Sequence, residues 1–299
     1  METRRALQVD AFTDEPLTGN AAGVVPNADG LSETQMQAIA RELNQSETAF
    51  VLSTGSADRR VRYFTPKQEV DLCGHATIAM HACLAETGDL DVGAHTLETN
   101  VGVLDIELEA DGTVWMTQNQ PAIREVDVDP VEVADALDID PAALTDIEDE
   151  LPLARATTGL PFLIVPMTFL EQLGQAAPDM AKIEALSEEV DAAGIYAFTF
   201  DALSAQATLH GRMFAPRLGL LEDPVTGTAS GATGAYLRHF GAFDTMPDEM
   251  LFEQGHFVSR PGEVRVRVGD QIQVGGRAVT AFDGSVVIPT FDDDDILEA

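Results

Sequence analysis

A chain of 299 residues exceeds the usual single domain, and with 45% of its residues hydrophobic each of two halves has enough apolar material to bury a core. Acidic residues outnumber basic ones 51 to 17, and the formal net charge of -34 gives a field that repels nucleic acid and anionic membrane surfaces. Lysine occurs only at Lys67 and Lys182, the other cations being arginines, a bias of salt-adapted proteins whose acidic surfaces stay hydrated when molar salt shortens the Debye length to about 3 Å.

A halophile's cytosol is therefore the expected setting, in an archaeon. Cys73 and Cys83 are too few for a disulfide framework, and ten residues along one helix separate them by about 15 Å, beyond bridging distance. Residues 1–12 lack the apolar stretch of a signal peptide, and no run approaches the roughly 20 apolar residues of a membrane span, so a soluble cytoplasmic protein is expected.

In chain order, alternation predicts strands at Leu7–Phe12 and Ala21–Val25, joined through a turn at Asp14-Glu-Pro16. Ser32 with Gln35 forms a capping box before an amphipathic helix whose apolar set is Met36, Ile39, Ala40 and Leu43. Strands at Glu47–Leu52 and Arg60–Phe64 precede a helix from Gly74 to Ala85 that is small or apolar on nearly every side, the signature of a buried helix. Strands at His95–Thr99, Val103–Glu109 and Thr113–Thr117 complete a sheet able to wrap it. The segment Val126–Glu150 carries short acidic helices and has no counterpart in the first half. Strands then follow at Phe162–Val165, Tyr196–Phe200 and Ala207–Phe214, with a second apolar helix at Gly227–Phe240. Strands at Glu263–Val268, Gln271–Val274, Ala278–Phe282 and Ser285–Ile288 close the chain before the solvated run Asp292-Asp-Asp-Asp295.

The two halves share a phrase. Arg62-Tyr-Phe64-Thr-Pro66-Lys67 and Arg212-Met-Phe214-Ala-Pro216-Arg217 are both R-x-F-x-P-[K/R], 150 residues apart. Each is followed by an acidic residue, Asp71 or Asp223, and then by a Gly-rich helix start. Self-similarity at half the chain length predicts two copies of one unit related by a pseudo-two-fold, with their helix starts facing each other across a cleft.

Three segments carry groups capable of chemistry. Glu47, at a loop-to-strand junction in Asn44-Gln-Ser46-Glu47-Thr48, reads either as an exposed strand-start carboxylate or as a general acid/base. In Asp71-Leu-Cys73-Gly74-His75-Ala-Thr77, Gly74 permits close backbone approach, and the free N–H groups of a helix start favour an anion such as a substrate carboxylate. His75 there is either a helix cap or a proton relay, and Cys73 either packing or a nucleophile. The third, Glu222-Asp223-Pro-Val-Thr226-Gly227-Thr228-Ala-Ser230, offers a second helix start, with Asp223 either a dipole partner or a polar member of the site. The linear spacing of His, Cys and Asp matches no metal-ligand motif, so no metal is expected.

Ser46-Glu47-Thr48, Gly74-His75-Ala76-Thr77, Asp223-Pro-Val-Thr226-Gly227, the early Phe12…Gly19-Asn20 segment and the R-x-F-x-P phrases together resemble the PhzF-like phenazine-biosynthesis family of the diaminopimelate-epimerase-like superfamily, in colinear order through nearly the whole chain. The resemblance implies an α+β fold of two pseudo-symmetric domains, each a barrel-like sheet wrapped around a central helix. The domains are expected at 1–118, with a C-terminal strand near 279–291 possible in that unit, and at 119–278, with an acidic tail at 292–299.

It also implies a cofactor-free isomerase that shuttles a proton on a small carboxylate-bearing substrate, and a homodimer. By resemblance Glu47 is the acid/base, His75 and Asp223 are its polar partners, and Asn20, Ser46, Cys73, Gly74, Gly227, Thr228 and Ser230 line the substrate. The chain departs from the family pattern at Asn20-Ala21 and His75-Ala76, where many members have proline. The epimerase relatives use one thiol on each side of the substrate. Cys73 matches one, and Ser230-Gly231 stands where the other would be needed. Two other readings remain open: a racemase or epimerase using Cys73, and a ligand-binding relative without turnover.

Overall fold

A computed structural model describes residues 2–145 and 151–289. The acidic tail, its Asp292–Asp295 run and residues 146–150 of the segment starting at Val126 lie outside the described residues.

Two apolar helices organise everything else. Gly74–Glu86 carries eight buried residues, among them Ile78, Met80 and Leu84, and Gly227–His239 carries nine, among them Ala232, Tyr236 and Leu237. Neither has a polar stripe, so each must be covered on all sides. The first is enclosed by strands Thr3–Ala11, Asn20–Val25, Thr48–Leu52, Val114–Thr117 and Ala278–Val287, and the second by Ala122–Glu125, Ala154–Thr157, Pro161–Pro166, Gly262–Val268 and Ile272–Gly276.

The register repeats. In the first half Asn20–Val25 runs parallel to Thr48–Leu52, which is antiparallel to Arg59–Phe64. That strand in turn pairs antiparallel with the two-residue Glu69–Val70 and parallel with Gly93–Thr99. In the second half Pro161–Pro166, Gly194–Thr199, Leu209–Ala215, Leu220–Asp223 and Met250–Gln254 repeat those senses one for one. The parallel step needs a crossover. In the first half it is the helix Glu33–Leu43, with the capping box of Ser32 and Gln35 formed and Asn44 left-handed at its end. In the second it is Met180–Glu189, capped by Asp179.

The sequence reading did not include this second helix, nor the preceding short one at Leu170–Gln175 or the strands Ala122–Glu125, Ala154–Thr157 and Met250–Gln254. The segment without a counterpart forms Pro130–Leu137 and Ala142–Thr145, which join Met180–Glu189 in a separate apolar cluster around Leu137, Leu163 and Ile183.

The halves exchange a strand. Ala278–Val287 pairs with Thr3–Ala11 of the first half, and Ala122–Glu125 pairs with Ala154–Thr157 of the second. Val114–Thr117 also pairs with Ile272–Gly276, stitching one sheet to the other.

One expectation fails at the C-terminus. Two strands are expected at Ala278–Phe282 and Ser285–Ile288, but the chain runs through Asp283-Gly284 as one strand, with Leu7 opposite Asp283 and Ala6 opposite Gly284. The partner lies at the far end of the sequence, where Arg5 holds the Asp283 carboxylate with bonds of 3.0 and 2.7 Å. Gly284 serves there as free space, since a Cβ would sit 2.7 Å from the Phe282 ring.

The repeated phrase is a bracket. Arg62 donates twice to Glu69 (2.7 and 2.6 Å) with its guanidinium carbon 5.1 Å from the Phe64 ring centre. Arg212 donates twice to Glu222 (2.9 and 2.8 Å) and lies 4.9 Å from the Phe214 ring centre. Each bracket fastens the strand carrying the phrase to the short strand leading into a buried helix.

This register corrects one equivalence. Tyr63 faces Val70 and Met213 faces Asp223, so the counterpart of Asp223 is Val70 rather than Asp71. Counting on from there, Cys73 corresponds to Thr226, Gly74 to Gly227, His75 to Thr228 and Thr77 to Ser230.

Candidate active site

Both helix starts are caps without a side-chain cap bond, Cys73 and Thr226 each holding extended backbone before the first turn. The N–H groups of those turns are left for something other than a capping side chain. The helices touch, and His75 and Glu47 lie near enough to Asp223 to influence its carboxyl, as Asp223 does to influence Cys73.

On the first side, Glu47 ends the loop that feeds strand Thr48–Leu52. Its carboxylate lies 3.5 Å from His75 Nε2, and both side chains are largely covered, with 23% and 12% exposure. Ser46 Oγ is 3.3 Å from the same Nε2, and Cys73 Sγ is 3.4 Å from His75 Nδ1. His75 thus sits between a thiol, a hydroxyl and a carboxylate. Burial, and next the negative charge of Glu47, push the Cys73 thiol well up from its ordinary pKa. A Cβ at Gly74 would meet no protein atom within 4 Å, so the first turn lies open to the cleft.

On the second side, Asp223 ends its short strand and is gripped from three directions. Thr226 Oγ1 donates to Oδ2 at 2.6 Å and Asn20 Nδ2 to Oδ1 at 3.0 Å, while Gln254 Nε2 takes its backbone carbonyl at 2.8 Å. Burial is the largest influence on this carboxyl and raises its pKa above the usual range, against the pull of His75.

The buried Gln254 also accepts from Thr226 N–H at 3.1 Å and donates to Thr226 Oγ1 at 3.1 Å. Sequence reading missed this residue, because it belongs to a strand that carries no motif and its partners are 28 and 31 positions away.

Two of the expected lining residues, Asn20 and Ser230, have their donors committed within the protein. Asn20 is buried and both hydrogens of its amide are committed, one to Asp223 and one to the Val225 carbonyl at 2.8 Å, so it fixes the second helix start instead of facing a substrate. Ser230 is fully buried and donates back to the Thr226 carbonyl at 2.9 Å, as Thr77 does to Cys73 at 2.7 Å. The residue at the position equivalent to Cys73 is accordingly Thr226. Gly227 is where the Phe12 ring approaches, 2.9 Å from an added Cβ, while the Thr228 carbonyl accepts from Thr158 at 3.3 Å.

A further expectation concerned metals. Linear spacing contains no ligand motif, yet folding brings Glu47, Cys73 and His75 together, with one ligand-capable atom from each lying within 4.8 Å of the others. The strand start and the helix start that supply them are 26 residues apart, a separation no short motif covers.

Comparison with known proteins agrees with this architecture. Residues 9–284 match the family model described as phenazine biosynthesis-like protein, PhzC-PhzF. The chain is 36% identical over 292 residues to the uncharacterized isomerase YfhB of Bacillus subtilis, spanning 96% of this chain and 97% of that one. The crystal structure of a PhzF-family phenazine biosynthesis protein from Bacillus anthracis superposes with a TM-score of 0.87 at 34% identity, covering 96% of this chain and all of that one. The fold extends, at 16% identity and a TM-score of 0.62, to a hydroxyproline epimerase of Agrobacterium vitis, with 98% and 93% of the two chains covered. These relatives are bacterial, which gives the expected archaeal origin no support.

Proposed function

The chain belongs to the phenazine biosynthesis-like PhzC-PhzF family, and on that premise we propose that it is an isomerase moving a proton on a small carboxylate-bearing substrate held between the two helix starts. The observation that carries this reading is the Glu47–His75 contact of 3.5 Å beside an open helix start.

Glu47 takes the proton from a substrate carbon and returns it elsewhere on the same molecule. His75, in contact with the carboxylate and with Ser46, holds it in place and shares the charge that develops. The first-turn N–H groups of the two helices receive the substrate's carboxylate, which an acidic protein must otherwise repel. Arg62 and Arg212 do not help, because their guanidinium groups are spent on Glu69 and Glu222. Asp223, held by Thr226 and Asn20, is the polar group that contacts the substrate from the second side.

A homodimer follows from the family resemblance, and a salt-adapted cytoplasmic setting from the net charge of -34. No described helix is long and apolar enough to cross a membrane.

The racemase reading has one observation in its favour, the Cys73 thiol 3.4 Å from His75. Burial keeps this thiol protonated, so little of it is present as the thiolate that would act as base, and the position equivalent to it on the second helix is Thr226. The two readings part in D₂O. With a small carboxylate substrate, Glu47→Gln lowers kcat by about 10²–10⁴, read as solvent-deuterium uptake, and leaves the circular dichroism spectrum unchanged. Near-normal turnover in Glu47→Gln together with a dead Cys73→Ala overturns the carboxylate mechanism in favour of the thiol.

A further inference from the structure

We propose that Glu47, Cys73 and His75 form a site for one thiophilic divalent cation, zinc being the natural candidate, and that the bound ion shuts the active site. The three residues supply a carboxylate oxygen, a sulfur and an imidazole nitrogen, the donor set that borderline-soft metals take and that hard ions such as magnesium do not.

The spacing fits. Zinc–ligand bonds of about 2.0–2.3 Å in tetrahedral geometry place neighbouring ligand atoms roughly 3.3–3.6 Å apart. Here His75 Nε2 is 3.5 Å from the Glu47 carboxylate and 3.9 Å from Cys73 Sγ, and the third pair lies within 4.8 Å, so side-chain movement of no more than about an ångström closes the set. Gly74, beside the three ligands, leaves space free of protein atoms, so a fourth position is available to water or a substrate carboxylate.

Binding replaces a bond without redox change. The Cys73 S–H bond breaks as the sulfur–metal bond forms, the proton leaves to buffer, and the ion keeps its charge. One thiolate and one carboxylate then neutralise the dication, while the net charge of -34 favours its approach. The occupied lone pairs are those that Glu47 and His75 need to handle a proton, so ion and turnover exclude each other.

The test uses chelator-washed full-length protein without substrate, so it succeeds or fails apart from the isomerase reading. Cadmium, titrated in the presence of excess magnesium to cover surface carboxylates, should raise a thiolate-to-metal charge-transfer band that saturates at one equivalent. Zinc should abolish the band by competition and, added alone, release one proton per chain.

Cys73→Ser should lose the band and Cys83→Ser, which removes the other free thiol, should keep it. Glu47→Gln, which leaves both softer ligands in place, should weaken cadmium binding at least about 10-fold, an effect that does not depend on the serine variant's folding. Absence of a band in the unsubstituted protein, a band that survives Cys73→Ser, or an unchanged affinity in Glu47→Gln each overturns the site.

Discussion

The two Arg–Glu brackets share their geometry, yet the helix starts they support do not share their chemistry. Arg62–Glu69 and Arg212–Glu222 hold the same strand pair by the same forked contact beside the same phenylalanine. A few residues on, one side presents Cys73-Gly74-His75 and the other Thr226-Gly227-Thr228. The repeated phrase therefore marks scaffold, and the groups capable of acid/base chemistry lie where the copies differ. The brackets also differ in burial: the Arg212 pair is 8% and 12% exposed, the Arg62 pair 18% and 23%. Arg212 further donates to the Leu173 and Ala176 carbonyls, both at 2.9 Å, tying in the short helix Leu170–Gln175, whereas Arg62 reaches Glu33 of the first crossover helix at 2.8 Å.

That difference should dominate stability. Arg212→Ala leaves Glu222 buried without its partner and two carbonyls without a donor, a loss of about 3–5 kcal/mol in urea denaturation. Arg62→Ala, with solvent at hand for Glu69, should cost about 1 kcal/mol. Equal losses would mean that the brackets are alike energetically as well as geometrically.

Acid should act on the first helix through a group that the second lacks. His81, seven residues into the first helix, is buried and its pKa is lowered to about 4 by that burial, its Nδ1 donating to the Thr77 carbonyl at 2.8 Å. The same step in the second helix is Gly234, packed against Val266. The unfolded chain binds a proton at His81 near pH 6.5 and the folded chain only near 4, so its stabilising contribution is whole above 6.5 and fades as pH falls to 4. The full loss is about 3 kcal/mol. In paired denaturation curves His81→Asn, which keeps the donor and cannot be charged, should lose that much less than the parent between those pH values. Parallel profiles would remove His81 as the cause.

Salt gives the smallest contrast between the brackets and a test of the whole surface. Screening should shrink the Arg62→Ala penalty by a few tenths of a kcal/mol at about 1 M KCl while leaving the Arg212→Ala penalty nearly unchanged. The melting temperature of the parent should rise from about 0.1 M to about 2 M KCl, since self-repulsion opposes compactness at low ionic strength. A flat or falling trend would count against salt adaptation.

Local patterns in the sequence were legible where their cause was local. The capping box at Ser32 and Gln35 and the two helices without a polar face were readable because their determinants lie within a few turns. The strand through Asp283-Gly284 was not, because its partner lies some 278 residues away. The one-residue slip that matched Asp71 with Asp223 has a physical source. The first copy turns tightly, with Thr65 Oγ1 accepting from Lys67 and Gln68, while the second spends a 3₁₀ turn at Pro216–Leu218 and a left-handed Gly219 before resuming. Unequal turns hide equal strands. Of the site, Glu47, His75 and Asp223 could be singled out by type and neighbours, whereas Gln254's grip on Thr226 and the gathering of Glu47, Cys73 and His75 exist only in three dimensions.

The pairing of Cys73 with Thr226 has a stereochemical consequence. Inverting a carbon centre needs a proton acceptor on one face and a donor on the other, and threonine's hydroxyl does not serve as the second at neutral pH. With Glu47 on the first half's side both taking and returning the proton, and Asp223 only contacting the substrate from the second side, removal and return should occur on the same face of the substrate.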